Sequence, residues 1–262
     1  MDLGPTPAGA FRTARGATPL SIRALMTAGA VLLVLSWWRA EAVPTGMPLR
    51  PQLLGEPLQE PLARPAFTTT VEGITYTVQP LHSYELYGLV VSRHDSRAWW
   101  DWIHEASLDR LNAVDLCVVW GRNLASGAYA AGSYSSGQFV CYYSLPDQAS
   151  FAAFDAAAVS NNHLLTDQPP IARKLRSVRV GDQIHLRGVL AEYRHDHGFA
   201  FQRGTSVRRD DTGNGACETI FVESVAILHS AGALWRGLVW AGALMLAAGL
   251  LLWLRQPFRA PD

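Results

Sequence analysis

The sequence lacks the short motifs that identify common enzyme classes. It contains no Walker phosphate-binding loop, no dinucleotide-binding glycine fingerprint, no HExxH metalloprotease motif and no GxSxG nucleophile elbow. Lysine is also nearly absent, since Lys174 is the single lysine among 22 basic residues. The motifs therefore indicate no enzyme class and no cofactor, and hypotheses for function must come from composition, topology and local clusters of polar residues.

Cysteine is scarce too. The chain has three, Cys117, Cys141 and Cys217, and no two of them stand in a CxxC spacing. This removes support for a zinc ribbon or a thioredoxin-type motif. An odd number leaves at least one thiol outside any intrachain disulfide. Cys117 and Cys141 lie on consecutive predicted strands and form the favoured disulfide, although Cys217 could pair with either of them.

Charged residues are missing from two long segments, residues 24–38 and 237–254. A bilayer core accommodates roughly 20 apolar residues, and tryptophans stand at or near the ends of these segments, where indole rings prefer the membrane interface. We predict transmembrane helices over residues 20–39 and 235–254. Two alternatives stay open: either segment is a buried core helix, or the first is a signal peptide cleaved near Ala40.

Positive charge predominates toward the two termini. Five arginines lie at or beyond the terminal ends of the spans: Arg12, Arg15, Arg23, Arg255 and Arg259. By the positive-inside rule, both termini are predicted to be cytoplasmic and the middle of the chain to be periplasmic or extracellular. Residues 40–235 hold 15 basic and 20 acidic residues, so nucleic-acid binding is not expected. The predicted partners are the lipid bilayer of the inner (plasma) membrane and a membrane or envelope protein.

The remaining segments are distinguished by composition. Residues 1–19 are rich in Gly, Pro, Ala and Thr and are predicted to be a disordered cytoplasmic arm. Residues 40–69 carry several prolines, which favour an extended, semi-rigid stalk. The exported folded domain is predicted over residues 70–230, and residues 255–262 are predicted to be a short cytoplasmic tail.

Periodicity within the domain predicts an α+β fold. Apolar spacing indicates helices over residues 96–112 and 149–159, and shorter runs indicate strands. Because strands and helices do not alternate regularly, we expect a small antiparallel sheet or a partly closed, OB-like β-barrel with two packed helices. The stretches VGDQIHLRGVL (180–190) and IFVESVAIL (220–228) resemble strand pairs of OB-type barrels. This resemblance implies a fold and carries no function.

Two histidine-containing clusters are candidates for chemistry. His195 and His197 flank a carboxylate, and neutral imidazoles suit zinc, copper or nickel, so they are candidate metal ligands; a polar hairpin turn is the alternative. In the run SNNH (160–163), His163 is a candidate catalytic residue beside the amide of Asn162. The alternative is that this run ends a helix and satisfies its carbonyl groups.

The loop 208–215 is the most densely charged segment of the domain. Its oxygens could hold calcium, but an EF-hand starting at Asp210 requires a glutamate at its twelfth position, where Phe221 stands. A contact surface is therefore predicted, and Asp210 is a further catalytic candidate. The predicted interaction residues of this loop are Arg208, Arg209 and Asp211.

A tryptophan-rich segment, residues 99–102, offers a second contact surface. On a helix, Trp99 and Trp102 would share the buried face and Trp100 would project away from it. Trp100 is therefore a predicted interaction residue, since tryptophan is enriched in binding hot spots. The alternative is a wide core that buries all of these rings.

Three hypotheses for function follow. The leading one is a membrane-anchored envelope protein whose exported domain is a non-catalytic accessory or assembly component acting through protein–protein contacts. The second is an envelope hydrolase or metal-dependent enzyme, which requires four residues to converge in one cleft: His163, His195, His197 and Asp210. The third is a small-ligand or glycan-binding module, which requires a concave pocket lined by the Trp cluster.

Overall fold

The computed structural model describes residues 19–211 and 217–256, so residues 1–18 of the predicted arm, the turn 212–215 and most of the predicted tail lie outside the described residues. The chain forms two compact units, the terminal helices and residues 39–234. In chain order the elements are α1 (Pro19–Ala40), β1 (Leu58–Pro61), β2 (Phe67–Val71), β3 (Ile74–His94), α2 (Trp102–Ala106), β4 (Asn112–Val119), α3 (Gly121–Ala125), β5 (Ser133–Gly137), β6 (Val140–Ser144), α4 (Gln148–Ala153), β7 (Val159–Leu165), α5 (Pro169–Ser177), β8 (Asp182–Asp196), β9 (Ala200–Arg203), β10 (Glu218–Ser230) and α6 (Ala233–Leu254). Short 3-10 helices lie at Pro51–Leu54, Ala128–Ala131 and Ala156–Ala158.

Among the described residues, α1 and α6 are long and apolar enough to cross a membrane, by length and composition. They contact each other through glycines. A Cβ at Gly242 would lie 2.7 Å from the backbone nitrogen of Leu33, and one at Gly29 would lie 3.0 Å from the Cβ of Met245. Such close approach of two helix backbones through small residues is typical of helix pairs in membranes.

An eight-stranded sheet dominates the middle unit. Its strands lie in the order β1-β3-β4-β7-β10-β8-β9, with β2 paired to β3 and a further pairing between β3 and β8. All these pairings are antiparallel except that of β7 with β10. The predicted α+β class with a mostly antiparallel sheet is confirmed. The sheet is large instead of small, because β3 is a continuous strand of 21 residues that pairs with four others.

The central strands β4 and β7 are buried along almost their whole length. Their apolar side chains join those of β8 and β10 in one core, which includes Leu116, Leu164 and Val222. The same two strands carry polar side chains into the interior: Asn112, Asp115, Asn161, Asn162 and His163. An unsatisfied buried polar group costs roughly 1–3 kcal/mol, so the partners of these residues matter for both stability and function.

The proline-rich segment 40–69 belongs to the sheet unit and is not a free stalk. β1 and β2 both pair with β3, and Leu53 is fully buried. The prolines are compatible with this packing. Pro51 begins a 3-10 helix, where its missing N–H is not needed, and Pro61 ends an edge strand. The predicted spacer is therefore folded against the domain.

The predicted helix 96–112 is reduced to the five residues of α2. The side chain of Asp101 caps α2 by accepting a hydrogen bond from the backbone N–H of His104, and Leu108, with φ of 52°, follows its end. Trp99 and Trp102 are 96% and 69% exposed. Their predicted inward orientation is wrong, because no helix extends over residue 99 to place both rings on one buried face.

The predicted helix 149–159 is also shorter, since α4 ends at Ala153. The run 160–163 lies on β7 and not at the end of a helix. Tertiary pairing explains the difference, because β7 hydrogen-bonds to β4 on one side and to β10 on the other. The polar run is consequently buried in the middle of the sheet.

Gly188 on β8 is expected to tolerate no side chain. A Cβ there would lie 2.2 Å from the carbonyl oxygen of Phe221 on β10. We expect Gly188→Ala to lower the free energy of unfolding of the full chain in detergent by about 1–3 kcal/mol, measured by chemical denaturation. Gly55→Ala is the matched control, because its Cβ would lie 3.6 Å from the Gln52 carbonyl oxygen. Equal stability of the two variants would contradict the prediction.

Candidate functional site

A chain of buried polar side chains begins at the end of β3, passes through α2 and β4 and ends on β7. None of its members is more than 5% exposed, and each lies within 3.0 Å of the next. Buried polar groups in native proteins are almost always hydrogen-bonded, and here they bond largely to one another. The members, in spatial order, are His94, Asp101, His104, Asn112, Asp115 and His163.

Asp115 and His163 form one end of this chain. They stand opposite each other on the antiparallel strands β4 and β7, which places their side chains on one face. His163 Nδ1 lies 2.8 Å from Asp115 Oδ1, and the backbone N–H of Phe139 donates to Oδ2 at 3.2 Å. The carboxylate thereby fixes the orientation of the imidazole and leaves Nε2 facing away from it.

The surroundings of this pair favour its charged form. Burial opposes the charge of His163, but the Asp115 carboxylate outweighs burial and raises the pKa of His163 to about 9. Burial likewise disfavours ionised Asp115, but the charge of His163 outweighs it and lowers the pKa of Asp115 to about 2. An imidazolium and a carboxylate are therefore paired inside the domain at neutral pH.

Cys217 lies beside this pair. It is the free cysteine among the described residues and directly precedes β10, which runs parallel to β7. Its side chain lies close enough to His163 to contribute to the raised pKa of that histidine, and Asn161 Nδ2 lies 3.7 Å from its Sγ. A thiol, an imidazole and a carboxylate in this order are the groups of a cysteine nucleophile, its base and the residue that orients the base.

Arg203 on β9 also contacts the imidazole. Its guanidinium lies 3.2 Å from His163 Nε2 and stacks on the ring of Phe139, 3.6 Å from the centroid. Arginine keeps its protons at all ordinary pH values, so it donates to Nε2 only while His163 is neutral. Asp115 and Arg203 therefore favour different protonation states of one ring.

An open pocket with a volume of about 1150 Å³ adjoins these groups. Its lining residues include the nucleophile candidate and its neighbours: Cys217, His163, Arg203, Asn161, Cys141 and Asp210. Cys141 forms a disulfide with Cys117, and their Cα atoms are 5.8 Å apart. Asn161 Oδ1 is buried and makes no hydrogen bond among the described residues, so it is free to accept one from a bound molecule.

His94, Asp101 and His104 form the other end of the buried chain. Their ligand-type atoms lie within 4.8 Å of one another, which is the composition of a metal site. However, both imidazoles contact the same oxygen, Asp101 Oδ2, at 2.5 Å. Two ligands of a tetrahedral ion, each 2.0–2.2 Å from it, are separated by roughly 3.3 Å. The spacing fits hydrogen bonds to a shared carboxylate better than coordination.

The histidines of the segment 195–197 lie elsewhere. His195 is 4% exposed and both its ring nitrogens are engaged, Nε2 with the carbonyl oxygen of Ser107 at 2.8 Å and Nδ1 with the backbone N–H of His197 at 3.3 Å. It lines a separate pocket, which does not include His163. The structure thus places His163 and Asp210 at one pocket and His195 at another.

The charged loop bonds to itself and to its own domain. Arg208 pairs with Asp210 at 2.9 Å, and Ser206 Oγ donates to Asp211 Oδ2 at 2.5 Å. Arg209 NH1 lies 3.3 Å from Glu218 Oε1. Burial raises the pKa of Glu218 to about 7, although Arg209 acts in the opposite direction. Glu218, which directly follows Cys217 in the chain, is therefore a second carboxyl group with a shifted pKa in addition to Asp115.

Two other predicted residues have structural contacts. Asn162 donates to the carbonyl oxygen of Leu116 and to Ser160 Oγ, so its amide supports the strands and does not contact His163. Trp100 is half exposed, and its ring lies 4.8 Å from that of His94. Trp100 therefore covers His94, at the end of the buried polar series away from His163, and about half of its surface remains exposed to solvent.

Three residues of the candidate site are not among those predicted for it: Asp115, Arg203 and Cys217. A signal for Asp115 exists in the sequence, since it is the one charged residue in the apolar run 113–120. A carboxylate in a buried strand requires a partner, and that requirement points to a site. For Arg203 the sequence contains no comparable signal, because its role depends on where β9 lies.

Comparisons with known proteins give no match. No family model matches the chain, and neither a curated protein nor a solved structure matches it.

The ion pair predicts how stability depends on pH. The pKa of Asp115 falls from 3.8 to about 2 on folding, so its contribution is complete above pH 3.8 and is lost as the pH falls through 2. The pKa of His163 rises from 6.5 to about 9, so its contribution is complete below pH 6.5 and is lost as the pH rises through 9. Both contributions are therefore complete between pH 3.8 and pH 6.5.

We expect Asp115→Asn to lower the free energy of unfolding by about 3–5 kcal/mol between about pH 4 and pH 6.5, because it leaves a buried imidazole without its counter-charge. The deficit should shrink at about pH 10, where wild-type His163 is neutral. Denaturation across a pH series measures both, with Asp95→Asn at a partly exposed position as control. A deficit that is constant up to pH 10 would show that the charge of the pair is not responsible.

Proposed function

We propose that this chain is an enzyme that uses Cys217 as a nucleophile, with His163 as its acid–base partner and Asp115 as the group that orients His163. The observation that carries the proposal is that Cys217 and His163 lie at the wall of one open pocket, where His163 is hydrogen-bonded to the buried carboxylate of Asp115. The reaction class is acyl transfer to water, a thiol-dependent hydrolysis. This is the hydrolase hypothesis with His163 retained, and with Cys217 and Asp115 in place of His195, His197 and Asp210.

The proton transfers of such a reaction are compatible with the contacts of His163, whose Nδ1 is held by Asp115 and whose Nε2 is directed away from it. The Cys217 thiolate attacks the carbonyl carbon of an acyl substrate, and the imidazolium of His163 gives its Nε2 proton to the leaving group. A thioester on Cys217 and a neutral imidazole remain. Neutral His163 then takes a proton from water, whose oxygen attacks the thioester, and release of the acid restores the thiolate and imidazolium.

Two further side chains support the chemistry. Asn161 Nδ2, 3.7 Å from the sulfur, is placed to donate to the oxygen that becomes negatively charged at an acyl group on Cys217. Arg203 donates to Nε2 and so stabilises the neutral imidazole between the two half-reactions.

The proposed setting is the cell envelope, with the domain exported and both termini cytoplasmic. The two apolar helices support membrane anchoring, and the glycine contacts between α1 and α6 support α1 as a retained span and not a cleaved signal peptide. The Cys117–Cys141 disulfide supports an oxidising compartment for the domain.

The proposed fold of the domain is a closed, OB-like barrel. Each strand of the series β3, β4, β7, β10 and β8 pairs with the next, and β8 pairs back to β3. Closure of this kind leaves no free edge among these strands and supports a barrel. The proposed catalytic residues then lie on or beside three neighbouring strands, β4, β7 and β10.

A non-catalytic accessory role remains the second candidate. It is favoured by the exposure of Trp99 and Trp102, at 96% and 69%, because large exposed aromatic side chains mark contact surfaces. A photo-crosslinking amino acid at position 99 would test it in intact membranes, and failure to capture any protein would contradict it. The glycan-binding hypothesis has less support, since no Trp lines either pocket described above.

The nucleophile assignment is testable without knowing the substrate. We expect Cys217 to be alkylated by iodoacetamide at neutral pH, and His163→Gln to slow alkylation by roughly 10-fold or more, because the thiolate is the reacting form. His185→Gln is the matched control, since His185 lies 2.7 Å from Glu85 in a similar pair outside the pocket. Peptide mass spectrometry measures the modified fraction against time.

Catalysis is tested with a panel of acyl thioesters, esters and amides. Wild-type protein should release acid from at least one class and carry the acyl group on Cys217, while Cys217→Ala should do neither. Equal alkylation of His163→Gln and His185→Gln, together with the absence of any acyl adduct across the panel, would overturn the proposal and leave the accessory role as the better explanation.

A further inference from the structure

Asn112 joins the two ends of the buried chain. Its amide nitrogen Nδ2 lies 2.8 Å from Asp115 Oδ1 and 3.0 Å from His104 Nε2. The nitrogen of an amide has two hydrogens and is no acceptor. Asp115 is ionised beside His163 and can only accept, so Asn112 must direct Nδ2 toward it, and one hydrogen goes to each neighbour.

This orientation fixes the protonation of His104. Because Asn112 donates to Nε2, that nitrogen carries no proton, and the proton of the neutral ring is on Nδ1. Nδ1–H then donates to Asp101 Oδ2 at 2.5 Å, and His94 donates Nε2–H to the same oxygen at 2.5 Å. Asp101 Oδ1 accepts the backbone N–H of His104 at 3.0 Å. Every contact along the chain has one donor and one acceptor.

The orientation of the Asn112 amide also affects whether His104 could bind a metal. To ligate a metal through Nδ1, neutral His104 would carry its proton on Nε2, and that proton would point at an N–H of Asn112, 3.0 Å away. Rotating the Asn112 amide removes this conflict only by placing its oxygen 2.8 Å from the ionised Asp115 Oδ1. Together with the 2.5 Å contacts to Asp101, this favours a hydrogen-bonded cluster over a metal centre.

We propose that His94, Asp101 and His104 form a hydrogen-bonded network that positions the catalytic pair, and that Asn112 is the positioning residue that couples the two. The inference rests on the proposed function of Cys217. With Asn112 in place, Asp115 accepts hydrogen bonds from three groups on three segments, namely Asn112 Nδ2, the Phe139 backbone N–H and His163 Nδ1. These bonds keep the carboxylate ionised and directed at the imidazole.

Titratable groups face the Asp115–His163 pair from several elements, and each is a possible source of pH dependence. They are His104 from α2, Asp109 from the turn before β4, Tyr193 from β8, Arg203 from β9 and Cys217 before β10. Asn112 does not titrate. An effect of substituting it therefore acts through hydrogen bonding and not through the loss of a charge.

The test compares Asn112→Ala with Asn162→Ala in the full chain. Asn162 is also fully buried, but its amide bonds to Ser160 and Leu116, outside the network. We expect Asn112→Ala to slow alkylation of Cys217 by roughly 10-fold at neutral pH and to move the midpoint of its pH profile, with little change for Asn162→Ala. Equal profiles for both variants and the wild type would overturn the proposal.

A second measurement needs no variant and no catalysis. Histidine-selective ¹⁵N NMR of the wild type should show His104 protonated on Nδ1 alone, and dialysed protein should retain no stoichiometric zinc. His104 protonated on Nε2, or one zinc ion lost in His94→Gln, would overturn the network. If the NMR result holds while Cys217 forms no acyl adduct, the network stands as a structural feature and the proposed function fails by itself.

Discussion

The buried carboxylate of Asp115 is the constraint on which the rest of the site depends. An ionised carboxylate in the interior costs several kcal/mol of lost hydration unless it is paired and hydrogen-bonded. Asp115 stands in a strand that is buried at every position, and its oxygens accept from Asn112, Phe139 and His163. These donors come from β4, from the β5–β6 turn and from β7. The charge therefore holds three segments in register as well as orienting one imidazole.

The β5–β6 hairpin shows how this requirement shapes a pocket wall. Phe139, at its turn, has a φ of 63°, a conformation that costs a bulky residue roughly 1–3 kcal/mol and persists only where neighbours enforce it. Here its N–H bonds to Asp115, its ring lies against Arg203 and His104, and the disulfide from Cys141 ties the hairpin to β4. The strained residue is thus held at the point where pocket and buried chain meet.

The elements that local sequence patterns determine could be predicted from the sequence. The two long apolar helices followed from uninterrupted apolar runs, and the α+β class followed from mixed periodicity. The prediction failed where pairing between strands distant in sequence determines the secondary structure. The SNNH run resembles a helix end by composition, yet β4 and β10 recruit it as a central strand. The union of Asp115 with His163, 48 residues later, and with Cys217 depends on that pairing, so no spacing rule could have assembled the three. The lone carboxylate in the apolar run of β4 was the one clue available.

The two ring nitrogens of His163 connect the buried chain to the pocket. At Nδ1 the imidazole meets a fully buried carboxylate at 2.8 Å, and at Nε2 it meets a partly exposed guanidinium at 3.2 Å. Water screens the second contact and not the first, so the carboxylate dominates and the ring is protonated at neutral pH. In that state Nε2 carries a proton and no longer accepts from Arg203. Protonation of this one imidazole therefore leaves two hydrogen-bond donors at the wall of the pocket, the Nε2–H of His163 and the guanidinium of Arg203.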